Sequence, residues 1–173
     1  MKQDSFDKTD LINLTVHGVL VRVANTGILI TGDAGTGKSD CALELISRGH
    51  SLIADDAVVI QVNNGKLLGE SPDLTRGILY IRGLGAIRIA DVFGPLSLKD
   101  QSPIDFVIKL LTREEINDSS DIFPDFQPKT FLGQEISTLS IPVRASGGLA
   151  IIVETAVKIF SLQRSAMTVT PTL

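Results

Sequence analysis

The run Gly32-Asp33-Ala34-Gly35-Thr36-Gly37-Lys38-Ser39 has the spacing G-x-x-x-x-G-K-S. In that spacing main-chain N–H groups wrap the phosphates of a nucleotide, the lysine reaches the β- and γ-phosphates, and the hydroxyl holds Mg²⁺. Gly35 loosens the crest of the loop, and a helix beginning at Lys38 turns its positive end toward the anion. Downstream, the acidic pair Asp55-Asp56 closes the apolar stretch Leu52-Ile53-Ala54, where a carboxylate would face the metal held by Ser39. Neighbouring side chains in an extended chain point to opposite faces, so the two acids divide the work. One holds Mg²⁺ and the other accepts a proton from an attacking hydroxyl, with either aspartate open to either role.

Other residues carry chemistry only in company. His17 lies among apolar residues in the first hairpin strand, where a histidine is either structural or tunes the basicity of a neighbouring carboxylate. Arg82 and Arg88 flank Gly83-Leu84-Gly85, and an arginine over a transferring phosphoryl group stabilises the charge on its oxygens. His50 follows the expected helix C-cap and reads as a surface side chain near the negative helix end. Cys41 reads as a small buried apolar group, and Arg144-Ala-Ser-Gly-Gly148 as a loop with Ser146 near a helix N-cap.

These residues need elements to hold them. Leu14 to Val23 is rich in β-branched and apolar residues, and Asn25-Thr26-Gly27 supplies turn chemistry, so a hairpin leads into a strand over Gly27–Thr31. Ser39–Arg48 places Cys41, Ala42, Leu45 and Ile46 at helical spacing, with Gly49 as the C-cap. Strand, glycine loop and helix is the order a phosphate loop requires. Ser51–Ala54 is a short strand, and Val58–Val62 meets Leu67-Leu68 across Asn63-Asn64-Gly65. Ile78–Ile81 is a strand, Ile104–Leu111 a central one, and 117–129 a long surface loop. Thr138–Val143 is the last strand, Leu149–Gln163 a helix, and the ends 1–13 and 167–173 are flexible around one domain at 14–166.

Composition excludes several classes. The 173 residues, 43% hydrophobic, suffice for one sizeable core. With 20 acidic against 16 basic side chains scattered singly, the net charge of −4 offers no footprint for nucleic acid. A single cysteine, a polar N-terminal stretch without an apolar core, and no apolar run near the roughly 20 residues of a membrane helix point to a cytoplasmic protein without a membrane partner.

Taken together, HGVLV at 17–21, GILITGDAGTGKSDCALELISRGHSLIADDAVVI at 27–60 and YIRGLGAIRIADVFG at 80–94 resemble the catalytic domain of the HPr(Ser) kinase/phosphorylase family in order and spacing. The resemblance covers roughly residues 17–154. It implies an α/β fold of the HPr kinase/PEP carboxykinase type, with a central mixed sheet, flanking helices and β-hairpins. The implied activity is transfer of a phosphoryl group from ATP or pyrophosphate, with Mg²⁺, to a serine of HPr or an HPr-like phosphocarrier. The reverse step is phosphorolysis by inorganic phosphate, and the implied assembly is a homo-hexamer. Carried over by residue, His17 is the catalytic histidine, Lys38 the phosphate-binding lysine, Ser39 and Asp56 the metal ligands, and Asp55-Asp56 the proton acceptor/donor site and its neighbour. Arg82 belongs to the signature tied to both reaction directions.

The chain departs from the family at three places. Tyr80 stands where a metal-binding glutamate is usual, and a phenol is a poor ligand for Mg²⁺. Pro142–Gly148 reads PVRASGG against the family's PVRPGRN, and Lys129, Thr130 and Phe131 provide no counterpart to an upstream catalytic arginine. These departures favour the kinase direction over phosphorolysis. The resemblance to the catalytic domain alone leads to the expectation of a short member of the family, without the usual N-terminal regulatory domain. Two rival readings are a small-molecule kinase, which would need an arginine-rich lid, and a nucleotide-binding sensor with weak or lost catalysis.

Overall fold

The computed structural model describes residues 13–115, 124–143 and 148–168. Twelve strands and three helices follow in the order β1 Leu14–His17, β2 Val19–Val23, β3 Thr26–Gly32, α1 Lys38–Ser47, β4 Ser51–Ala54, β5 Ala57–Asn63, β6 Lys66–Glu70, β7 Ile78–Ile81, β8 Gly85–Arg88, α2 Ile89–Phe93, β9 Gln101–Pro103, β10 Phe106–Leu111, β11 Phe126–Phe131, β12 Gln134–Pro142 and α3 Leu149–Thr168. A six-stranded mixed sheet has the order β11-β12-β10-β3-β2-β4, a four-stranded sheet the order β1-β5-β6-β9, and β7 pairs with β8. In the larger sheet β12, β10 and β3 run parallel, whereas β2 is antiparallel to β3 and β4. The protein is therefore α/β with a mixed sheet.

Two-residue alternation decides which side of the large sheet each residue covers. Val19, Val21, Ile28, Ile30, Phe106 and Ile108 join the layer that also holds Cys41, Ala42, Leu45 and Ile46 of α1 and Val153, Val157 and Phe160 of α3. Leu20, Leu29 and Val107 join the opposite layer, with Val58, Ile60 and Leu67 of the smaller sheet. Ile53 on β4 belongs to that second layer too, so the apolar contact between sheets reaches the residues just before the acidic pair. Burial pushes the Cys41 thiol up to about 12, as befits an inert core group.

Several sequence expectations change. The stretch Leu14–Val23 does not form one hairpin arm: the chain changes sheets at Gly18, with β1 pairing β5 and β2 pairing β3 across an Ala24-Asn25 turn. The alternation of apolar residues continues across that handover, which hides it. Residues 126–129, read as loop, belong to the edge strand β11, whose exposed polar face and Pro128 an edge tolerates; 116–123 lie outside the described residues. The last strand starts at Gln134, and α3 continues to Thr168, past the expected end at Gln163. His50 lies at the surface only in part: its ring is held between Glu154 of α3, at 2.9 Å from Nε2, and the Ala24 N–H.

Gly27 marks the tightest approach between the layers. Its N–H donates to the Asp105 carboxylate and its carbonyl accepts from the Asp105 N–H, both at 2.8 Å. A Cβ there would overlap the Pro103 carbonyl oxygen and lie 2.6 Å from Ser102 Oγ. Gly27→Ala is expected to cost about 2–3 kcal/mol and lower the unfolding temperature by about 5–10 °C in calorimetry; an unchanged transition would show that this backbone contact yields freely.

Candidate active site

β3 and β10 run parallel with Gly32 opposite Leu110, so the glycine loop leaves the large sheet at the C-terminal edge of its central strands. Gly37 sits at the helix N-cap in the left-handed region, φ 88, a conformation that suits glycine, and carries no side chain that could cap the helix itself. The first α1 ladder bond runs from the Cys41 N–H to the Gly37 carbonyl, which leaves the N–H groups of Lys38, Ser39 and Asp40 for an anion, while the Thr36 N–H donates to the Asp33 carbonyl. Thr36 is buried and ties the turn, its hydroxyl donating to the Asp33 carbonyl at 2.8 Å. Lys38 Nζ is also buried and donates to the Gly32 and Asp33 carbonyls, each at 2.8 Å. Its burial depresses its pKa, against the opposing pull of Asp33, Asp55 and Asp56.

The two acids have separate environments. Asp55 is buried, 4% exposed; its Oδ1 accepts from Ser39 Oγ at 2.9 Å and its Oδ2 from the Tyr80 N–H at 3.0 Å. Burial raises its pKa above the ordinary carboxylate value, although these donors favour the charged form. Asp56 takes a left-handed conformation, φ 68, which a short polar residue tolerates, and its side chain turns outward. Its carbonyl accepts from the Gly18 N–H at 3.1 Å. The pairing of β1 with β5 sets His17 opposite Ala57, and this brings His17 Nδ1 to 3.1 Å from Asp56 Oδ1.

An open cavity of about 320 Å³ gathers the sequence-predicted residues. His17, Ala34, Gly35, Gly37, Lys38, Ser39, Asp55, Asp56, Tyr80 and Arg82 line it, together with Asp40, which the sequence reading missed although it follows Ser39 directly. Gly32, Asp33 and Thr36 shape the loop from behind. The Tyr80 N–H, as a partner of Asp55, was invisible in sequence because it depends on β7 lying beside the acidic turn. Arg88 ends β8, and Lys129, Thr130 and Phe131 lie on β11; none of them lines the cavity. Residues 144–147, which include Arg144 and Ser146, lie outside the described residues.

Two oxygens, Ser39 Oγ and an Asp55 carboxylate, face one end of the phosphate loop within hydrogen-bond distance of each other. That donor set fits Mg²⁺, which takes one or two protein oxygens and completes its shell with phosphate and water.

The family described as HPr Serine kinase C-terminal domain matches residues 11–173. An HPr kinase/phosphorylase of Clostridium botulinum is 43% identical over 141 residues, 82% of this chain and 46% of its own length. Another from Bacillus cereus is 41% identical over 150 residues, 86% of this chain and 48% of its own. The chain thus spans about half the length of these curated relatives. The solved Hpr(Ser) kinase/phosphatase from Coxiella burnetii matches with a TM-score of 0.85 at 29% identity, covering 90% of this chain and 94% of that one.

Because the folded state raises the Asp55 pKa, the folded protein binds the proton more tightly than the unfolded chain. Stability therefore falls as pH rises from the unfolded carboxylate value through the raised one, and the ionised Asp55 is destabilising at neutral pH. Asp55→Asn is expected to raise the unfolding temperature of the ligand-free protein by about 2–4 °C at neutral pH. The difference should shrink as pH is lowered toward the ordinary carboxylate range; a difference that grows on acidification would reverse the sign of this account.

Proposed function

The chain belongs to the family of HPr serine kinase C-terminal domains, and from that premise we propose that its site transfers the γ-phosphoryl group of ATP to a serine of the phosphocarrier HPr. The observation that carries this reading is the His17–Asp56 pair, 3.1 Å apart, on the same cavity as Lys38 and the glycine loop. Such a pair offers an oriented base beside a phosphate cradle.

In this reading the loop amides and Lys38 hold the donor phosphates, Lys38 exchanging its bonds to the Gly32 and Asp33 carbonyls for phosphate oxygens. Ser39 and Asp55 hold Mg²⁺, which exchanges the sequence assignment of Asp56 for its inward neighbour, on the strength of the Ser39–Asp55 contact. When bound, Mg²⁺ supplies charge neutralisation at the donor phosphates. The serine Oγ attacks the γ-phosphorus, the bond to the bridging oxygen breaks, and ADP leaves with the electron pair. Asp56 takes the serine proton while His17 holds its carboxylate in place, and Arg82 faces the charge on the transferred group. In the phosphorolytic direction an oxygen of inorganic phosphate attacks the phosphoserine phosphorus, the bond to the serine Oγ breaks, protonated Asp56 gives its proton to that oxygen, and pyrophosphate leaves. Pyrophosphate as alternative donor, a homo-hexamer and a cytoplasmic setting belong to the same proposal. The sensor reading is weakened by the intact His17–Asp56 pair.

The test is label transfer from radiolabelled ATP to HPr. Lys38→Ala is expected to abolish it, and Asp56→Asn to lower kcat by about 10²–10⁴ while ATP still binds. A Lys38→Ala variant that labels HPr at the wild-type rate would remove the proposed mechanism, and an Asp56→Asn variant with full kcat would move the base elsewhere.

A further inference from the structure

We infer, building on the kinase reading above, that the outward edge of the β7–β8 hairpin, Tyr80 with Leu84 at the tip, docks the acceptor protein, so that the Tyr80 ring sets acceptor affinity.

The Asp56 and His17 side chains are 77% and 56% exposed, so the base stands at the surface and water reaches it as readily as any hydroxyl. Transfer to serine in preference to hydrolysis requires that the acceptor itself cover the base. A small alcohol leaves the cavity mouth open, whereas a folded protein presenting serine within an apolar surface closes it. That surface must press on the rim of the cavity.

The rim has a suitable side. The reaction cavity continues into a second one of about 400 Å³ that shares Ser39, Asp55, Asp56 and Tyr80 and adds Thr75 and Ile78. Tyr80 borders both cavities. Its neighbours Leu79 and Ile81 are buried, and strand alternation sends the Tyr80 ring outward, leaving the residue 65% exposed. Leu84, in the turn of the same hairpin, is 71% exposed, and Leu74, beside Thr75, is 93% exposed. Single exposed leucines are ordinary, but Tyr80 on the cavity rim and Leu84 in the turn of the same hairpin leave two large exposed apolar side chains on one short element beside the cavity. Tyrosine suits it, with an apolar body and a polar tip, and is enriched among residues that dominate protein interfaces.

Tyr80 does its work for the buried acid through its main-chain N–H, which holds Asp55 whatever the side chain is. The ring is therefore available for another task, and a phenol is a poor candidate for the metal.

The experiment measures HPr binding by calorimetry to the wild type, Leu84→Ser, Tyr80→Ser and Tyr80→Phe, with a non-hydrolysable ATP analogue and Mg²⁺ present. Analogue affinity and label transfer are followed on the same preparations. Both serine variants are expected to weaken HPr binding on the order of tenfold or more. Tyr80→Phe should stay near wild type, and Leu84→Ser should keep its analogue affinity. Unchanged HPr affinity in the serine variants overturns the inference, as does a wild type that binds no HPr. A Tyr80→Ser variant that loses only Mg²⁺-dependent analogue affinity also overturns it, returning the ring to the metal. A wild type that binds HPr through this edge yet transfers no label upholds the docking surface and removes the kinase reading instead.

Discussion

The Asp55 carboxylate joins three parts of the chain that are remote in sequence. One oxygen receives the Ser39 hydroxyl from the start of α1, the other receives the Tyr80 N–H from β7, and the residue itself stands between β4 and β5. Because the group is buried, losing either donor would leave charge without compensation in a poorly hydrated place. The phosphate-loop helix, the acidic turn and the β7–β8 hairpin are thus kept in register by one side chain. Its inward orientation also dictates the outward one of its neighbour, since the chain reaches β5 only by passing Asp56 through a left-handed conformation.

In the proposed reaction that arrangement gives the adjacent aspartates unlike roles. The inner acid has neutral donors and little water, which suits a fixed oxygen ligand. Its neighbour has solvent and a histidine, which suits a group that must gain and release a proton. An exposed histidine–carboxylate contact adds little to folding stability, and the unusual φ of Asp56 falls in the tight β4–β5 connection that also carries the proposed base.

Local patterns were the legible ones. The glycine loop, α1 and the hairpin across Asn64-Gly65 rest on residues close in sequence and formed near the expected bounds, although the helix caps at Arg48, with the expected cap Gly49 following it in the left-handed region. β10 was readable as central because its apolar run leaves few exposed positions. What escaped depends on distant partners. The handover at Gly18 follows from β1 choosing β5, and the place of His50 from Glu154 on α3. β11 escaped because an edge strand need not look apolar. In the site, the loop and the acidic pair could be read from residue types, whereas His17 and Arg82 were candidates with a structural alternative until the resemblance favoured them, because the β1–β5 pairing and the β7–β8 hairpin that bring them to the cavity are tertiary facts.

The sheet change at Gly18 and the passage from β4 to β5 lie side by side, joined by the Gly18 N–H and the Asp56 carbonyl. The phosphate cradle thus rides on one sheet and the histidine on the other, with the acids on the crossing between them. In the proposed transfer, the gap between nucleophile and phosphorus follows the thickness of the apolar layer between the sheets, to which Leu20, Ile53 and Val58 belong. Transfer rates depend steeply on such distances, so in the proposed reaction the interior counts as much as the mouth of the cavity.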